Sequence, residues 1–362
     1  EIPSKIELRG IQKPWVNELL QHRQGIGVAP AGSGKTIMML DACARLHLPI
    51  LWLTHRTTLV NQIVERIGFF YGDIGNIGII GGGKNSTGDV FTVAMIQTLA
   101  QRDLSDLSRR FGVVVLDEAH IVPAIQASKV IRHFSSRFLF GITATAFRED
   151  SLEQVIFDTI GPIITTMDRQ EVIDVKGIMP AKIIVRKTGI SSPFHISKDY
   201  PKVIDYLSAH VGRNNMILID ILSEVALGNV CIILTNRVAH GKLLSESLKA
   251  LGTDNIHLHA GSTAKQRKEG FDGFKSDKVV VLIATYSFIA EGFDNPKTNR
   301  IFFALPHKAR GLVIQARGRI ERVFPGKEDA ILYDYVDSIK MLKRQFESRL
   351  EQYEEHGLDI IF

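Results

Sequence analysis

Ala29-Pro30-Ala31-Gly32-Ser33-Gly34-Lys35-Thr36 follows a short apolar run, Gly25-Ile26-Gly27-Val28, and leads into Ile37-Met38-Met39-Leu40-Asp41-Ala42-Cys43-Ala44, where apolar residues recur at helical spacing. Strand, glycine loop and helix in that order form the context of a phosphate-binding loop. The glycines let successive N–H groups turn inward around an anion, and the helix start adds its dipole. Lys35 can reach the β- and γ-phosphates and the Thr36 hydroxyl can ligate Mg²⁺. Ala31, Gly32, Ser33, Gly34, Lys35 and Thr36 are therefore the expected nucleoside triphosphate cradle, with Ala29 in the place of the pattern's first glycine.

The chain carries its own control. Gly78-Ile79-Ile80-Gly81-Gly82-Gly83-Lys84-Asn85 has the same spacing, but Asn85 replaces the hydroxyl residue and a strand-like run, Val90-Phe91-Thr92-Val93, follows instead of a helix. Lacking both hydroxyl and helix, this stretch reads as a surface turn.

A length of 362 residues suffices for two ordinary domains, and 45% hydrophobic with 23% charged residues is the composition of a globular protein. No apolar run approaches the roughly 20 residues of a membrane span, and no signal-peptide pattern opens the chain. A location in a cytoplasm or nucleus is expected, with no membrane partner. Glu1 rather than Met is the start expected of a fragment or processed form. Cys43 and Cys231 lie in apolar segments without zinc-ligand spacing, so both read as core. The net charge of +5 is compatible with a polyanionic partner without establishing one.

Upstream of the loop, Gln12 precedes an amphipathic stretch and could read the N6/N7 edge of adenine, although alone it is an ordinary helix-start residue. Ile50-Leu51-Trp52-Leu53 reads as a buried strand. In a parallel sheet the ligand face lies at the strands' carboxyl ends, so Thr54, His55 and Arg56 join the phosphate loop there and suit a sugar-phosphate backbone. Gln97 and Thr98 form the polar tip of a similar unit. Val113-Val114-Val115-Leu116 runs into Asp117-Glu118-Ala119-His120, and two carboxylates at the end of an apolar strand are costly without a cation. Beside a phosphate loop they have work: Asp117 would hold the Mg²⁺ shell, and Glu118 would orient and deprotonate the attacking water. Phe138-Leu139-Phe140-Gly141-Ile142 then leads into Thr143-Ala144-Thr145.

The ordered set of Gln12, the phosphate loop, Asp117 to His120, and Thr143 to Thr145 resembles a superfamily 2 helicase or translocase motor with a DEAH motif. The family's second half has counterparts too: Thr235-Asn236-Arg237 for motif IV, Leu258-His259-Ala260-Gly261 before motif V, Thr285 and Ala290-Glu291-Gly292-Phe293-Asp294 for motif V, and Gln315-Ala316-Arg317-Gly318-Arg319-Ile320-Glu321-Arg322 for motif VI. The resemblance implies two RecA-like α/β domains with mostly parallel sheets flanked by helices and an ATP cleft between them. It implies ATP and Mg²⁺ as cofactors. It makes Lys35, Glu118, Gln315, Arg319 and Arg322 catalytic, the two arginines as fingers for the γ-phosphate. It adds Gly292 and Asp294 to the nucleotide side, assigns Asn236, Arg237, His259 and Thr285 to nucleic acid, and gives His120, Thr143 and Thr145 to coupling.

Thr-Ala-Thr followed by Arg148-Glu149-Asp150 is similar to XPB-type DNA helicases and the phage and bacterial group that includes UvsW, and adds Arg148 to the nucleic-acid set. The implied activity is ATP-driven unwinding or branch migration of forked, junction or partly single-stranded DNA. RNA is the rival polymer, a restriction or defence motor subunit the rival setting, and an ATP-gated clamp the rival without turnover. Ala146 departs from the Pro of many relatives, which loosens the assignment to that branch. The expected division is 1–165 for the first domain, 166–200 for a linker, 201–336 for the second domain with a helix around 204–222, and 337–362 for a terminal helix. That helix would stack Ile339, Leu342, Phe346, Leu350 and Tyr353 on the second domain, or on a partner protein or a second copy. Lys340, Lys343, Arg344 and Arg349, interleaved with acids, read as a solvated face with a DNA contact as the alternative, and a monomer is the expected state.

Overall fold

The computed structural model describes residues 2–119, 124–144, 153–194, 196–276, 278–286, 295–307, 310–355 and 357–362. The chain divides into two units, Glu1–Val175 and Lys176–Phe362. Each is an α/β layer structure whose central strands are short and apolar throughout, as strands covered by helices on both faces must be.

In the first unit the strands are β1 (Gln24–Val28), β2 (Ile50–Thr54), β3 (Gly78–Gly81), β4 (Lys84–Asn85), β5 (Phe91–Met95), β6 (Val113–Asp117), β7 (Phe138–Thr143) and β8 (Ile163–Thr166). They lie in the order β4-β3-β5-β2-β6-β7-β1-β8. Every pairing is parallel except β3 with β4, so the second glycine cluster, expected as a surface turn, is the turn of a short hairpin. Every residue of β2 and β6 is buried. Strand β1 is pressed unusually close to the helix Gln12–Leu20: a Cβ on Gly27 would lie 2.2 Å from the Trp15 ring, whose Nε1–H donates to the Val28 carbonyl at 3.0 Å.

The second unit holds β9 (Lys182–Lys187), β10 (Cys231–Thr235), β11 (Ile256–Leu258), β12 (Val281–Thr285), β13 (Arg300–Phe303), β14 (Ile331–Val336) and β15 (Asp359–Ile361). They are ordered β11-β12-β10-β13-β14-β9-β15, and every pairing is parallel. The stretch 166–200, expected as a linker, carries the helix Arg169–Asp174, capped by Asp168, and then β9, which sits inside the second sheet. Turn residues at Gly177 and Pro180 mark a real boundary but hide the six-residue strand after them. The helix expected around 204–222 is two, Ile196–Ala209 and Val211–Ala226, because His210 adopts extended backbone and caps the second by accepting from the Arg213 N–H.

The terminal helix runs Lys340–Glu355, with Leu342, Phe346 and Tyr353 buried, and β15 follows it. Arg349 is not on a solvated face. It is 3% exposed and grips Asp334 of β14 through two 2.8 Å hydrogen bonds, while the Tyr353 hydroxyl donates to the same carboxylate. A third guanidinium nitrogen donates to the His307 carbonyl. This anchor ties the helix to its own unit. Arg349→Met strands the Asp334 carboxylate in the core and is expected to cost about 3–5 kcal/mol in a denaturant melt, with Asp334→Asn on the same background recovering part of the loss.

Candidate nucleotide site

The parallel registers bring the chemistry-bearing residues of the first unit to one edge. Val28 pairs with Thr143, Thr54 with Met95, and Asp117 with Ile142, so the loops leaving β1, β2, β5, β6 and β7 emerge together. Gly32 and Gly34 hold φ of 85° and 94°, the left-handed region that glycine enters without strain. A Cβ on Gly34 would also meet the Gln12 amide at 2.7 Å. Ser33 turns inward, its hydroxyl donating to the Pro30 carbonyl at 2.7 Å. The helix Lys35–Leu46 then starts with no side-chain cap on its N-terminal N–H groups. A glycine cradle, an uncapped helix start and the buried Lys35 together fit a phosphate group.

Gln12 is buried beside this loop, with its Nε2–H donating to the Ser33 carbonyl at 2.8 Å and its Oε1 accepting from the Arg9 N–H. In this conformation its amide braces the phosphate loop with one of its two N–H donors and one of its two acceptor lone pairs.

Asp117 ends β6 and is 5% exposed. Burial, reinforced by the neighbouring Glu118, pushes its carboxyl up to about 7, against the opposing pull of Lys35, the Trp52 indole and Arg66. Arg66, on the helix Thr57–Tyr71, is a cation that motif reading missed, and its own ionisation is drawn down by burial and supported by Asp117. Glu118 takes φ of 52°, uncommon for a residue with a side chain, where the chain turns out of the sheet. Anionic oxygen at Asp117 and a hydroxyl at the half-buried Thr36 are the hard donors Mg²⁺ prefers.

Of the residues expected at a polymer backbone, Thr54 is fully buried as the last residue of β2, flanked by β5 and β6, and is corrected from a surface contact to an interior one. His55 and Arg56 are half-buried beyond it, and Gln97 donates to the His55 carbonyl at 3.1 Å, joining the tips of β2 and β5, with Thr98 half-buried beside it. Thr143 is buried at the end of β7, its carbonyl accepting from the Ala29 N–H, so it touches the base of the phosphate loop. His120, Thr145 and Arg148 lie outside the described residues.

In the second unit Thr235 pairs with Thr285, and Leu258 with Ala284, which sets Asn236, Arg237, His259 and Thr285 along one sheet edge. Asn236 donates to the Pro306 carbonyl, and Arg237 pairs with Asp205 at 2.6 Å. His259 accepts the Gly261 N–H on its ring. Behind them a buried chain runs from Thr235 through His240 to Asn214, at 2.9 and 3.0 Å, with burial holding the imidazole neutral. Gln315, Arg319 and Arg322 are half-buried on and just after the helix Arg310–Ile320. Arg317, between them, is 3% exposed and pairs with Glu321, which also accepts from the Ala181 N–H, so this arginine anchors the helix. Gly292 and Asp294 lie outside the described residues. A cavity of about 560 Å³, lined by Asn229, Lys297, Arg300 and Phe324, opens at the opposite, amino-terminal ends of β10 and β13.

Residues 5–148 match the family described as type III restriction enzyme, res subunit, and residues 213–324 match the helicase conserved C-terminal domain, together well over half of the chain. The chain belongs to superfamily 2 of the helicases. Among curated relatives of this superfamily 2 chain is a DNA 3'-5' translocase, XPB2, of Sulfurisphaera tokodaii, 29% identical over 78% of this chain and 61% of its own length. Solved structures of the same fold include Dbp5 of S. cerevisiae bound to RNA and ADP BeF3, with a TM-score of 0.70 at 17% identity covering 99% of this chain and 89% of that one. They also include a fragment of an HsdR subunit of a type I restriction enzyme from Vibrio vulnificus, with a TM-score of 0.69 at 18% identity covering 92% and 65%. The chain spans between 61% and 64% of the length of the curated relatives it matches first. Among the described residues no helix is long and apolar enough to cross a membrane.

The raised Asp117 ionisation sets a pH dependence of stability. Because its folded-state value lies above the ordinary 3.8, the group costs nothing below about 4, and the penalty grows until it is complete above about 7. Asp117→Asn is therefore expected to melt higher than the parent protein at pH 8 without metal, and to melt with it at pH 4.

Proposed function

We propose that this chain hydrolyses ATP to move along and remodel DNA that is forked, branched or partly single-stranded. The observation that carries the ATPase part is the shared edge of the first unit, where the phosphate loop and Lys35 follow β1 and Asp117 and Glu118 end β6, two parallel strands joined through β7. Lys35 pairs with the β- and γ-phosphates. Glu118 orients the attacking water and takes its proton as the water oxygen bonds to the γ-phosphorus and the bond from that phosphorus to the β-phosphate oxygen breaks, releasing ADP and phosphate. Thr36 and Asp117 are the residues that would hold Mg²⁺, whose charge, when bound, offsets that of the phosphates. Gln315, Arg319 and Arg322 are offered as the polar and cationic groups that meet the γ-phosphate, with Gly292 and Asp294 on the nucleotide side.

The polymer would be held through His55, Arg56, Gln97, Thr98, Arg148, Asn236, Arg237, His259 and Thr285. Such backbone contacts carry no base information, so little sequence preference is expected. DNA is favoured by the XPB2 likeness and by Arg148-Glu149-Asp150 after the Thr-Ala-Thr stretch. An RNA-dependent ATPase is the second reading, because a relative described as a putative ATP-dependent RNA helicase, L396 of Acanthamoeba polyphaga mimivirus, is 26% identical over 93% of this chain. A restriction-complex motor is the third, from the res-subunit match. A clamp without turnover has no use for Glu118 beside Asp117.

Steady-state ATP hydrolysis measured with no polymer, single-stranded DNA, duplex DNA, a four-way junction and RNA at one salt concentration separates these readings. Strongest stimulation by junction or forked DNA is expected; strongest stimulation by RNA would move the chain to the second reading, and no turnover with any polymer would favour the clamp. Glu118→Gln is expected to retain nucleotide binding and lose at least about 100-fold in turnover, in line with loss of a general base.

A further inference from the structure

The two tryptophans of this chain spend their N–H groups differently. Trp15 donates to a backbone carbonyl, whereas Trp52, fully buried in β2, donates to the Asp117 Oδ2 at 3.2 Å. The register explains how they meet. Trp52 lies opposite Val115, and Asp117 is two residues further along β6 on the same face, a diagonal that a large aromatic ring spans. A leucine or valine at position 52 would fill an apolar strand without an N–H to satisfy, so an indole there is a choice with a polar consequence. Its donor occupies one carboxylate oxygen and fixes the plane of the group from behind. A hydrogen bond to an ionised acceptor in a buried site is among the stronger ones.

We propose that Trp52 is a positioning residue for the metal-holding carboxylate and that its emission reports whether the metal is bound. The inference rests on the nucleotide reading above. The indole orients Asp117 so that its second oxygen serves the cation, in the way that outer partners of metal ligands set affinity. Charge arriving at the carboxylate changes the field at the indole, and Trp52 is the indole in direct contact with it.

The test reads binding instead of turnover. Calorimetric ADP binding is followed as a function of MgCl₂ in the parent protein and in Trp52→Phe, alongside thermal melts. In parallel, emission of the parent protein and of Trp15→Phe is recorded with ADP and EDTA and then with ADP and MgCl₂. Trp52→Phe is expected to raise the Mg²⁺ midpoint by about 10-fold or more while leaving metal-free ADP affinity unchanged, a split that a packing defect alone does not produce. The emission is expected to shift on adding MgCl₂ in both proteins. An unchanged midpoint in Trp52→Phe, or ADP·Mg²⁺ binding with no change in emission, overturns the proposal. If Trp52→Phe does not fold, the emission of Trp15→Phe, in which Trp52 is the sole indole, decides: a shift on adding MgCl₂ supports the proposal and its absence overturns it. Parent protein that binds ADP without any dependence on Mg²⁺, or not at all, defeats the nucleotide reading itself, a result distinct from the others.

Discussion

A carboxylate buried at the end of a wholly apolar strand is the constraint on which the first unit depends. Taking Asp117 out of water is tolerable only because Lys35, Arg66 and the Trp52 indole oppose the cost, and even so its ionisation is pushed up. Those three groups come from three different segments: the helix after β1, the helix after β2, and β2 itself. Parallel pairing of β2 with β6, and of β6 with β7 and then β1, holds them at the same height. The sheet therefore does more than carry the loops. It places opposite charges where neither could be buried alone.

The second unit shows the same economy without a ligand. Arg349 with Asp334, Arg213 with Asp337, and Arg300 with Glu224 are buried pairs that tie helices to the strands of one sheet or, for Asp337, to the residue just after β14. Removing one partner leaves a stranded charge, which makes these pairs specific even where their net contribution to stability is small. They also explain why arginines that look alike in sequence differ in role. Arg317 is locked to Glu321 just past the end of its helix, while Arg319 and Arg322 are half-buried beside it.

Much of this was legible in the chain. The phosphate loop, the apolar strand before Asp117 and the turn at Gly81 to Gly83 were each readable from residue type and local pattern, although the hairpin that the turn closes was not. Elements that escaped have little period to read. Strand β15 is three residues long, β9 follows a glycine and a proline that look like linker, and the break at His210 depends on a side chain caught by a single backbone N–H. Buried ion pairs escaped because Arg349 in a helix of alternating charges cannot be told from its solvated neighbours until Asp334 is seen beneath it. The Trp52 contact was hidden for the opposite reason: an aromatic residue among Ile50, Leu51 and Leu53 reads as more core, and its polar edge matters only once β6 lies alongside.

The placement of β9 has an effect on the order in which the protein can be made. This strand opens the second sheet in sequence, yet its two neighbours, β14 and β15, are the last two strands in the chain. During synthesis the first unit has all its strands once β8 leaves the ribosome, and can close around its own core. The second must hold β9 unpaired while some 150 further residues are added, a wait that follows from long-range pairing and its loop-closure entropy. One polypeptide thus gains its two halves by different clocks, the phosphate-loop half early and the arginine-bearing half only when the final strands arrive.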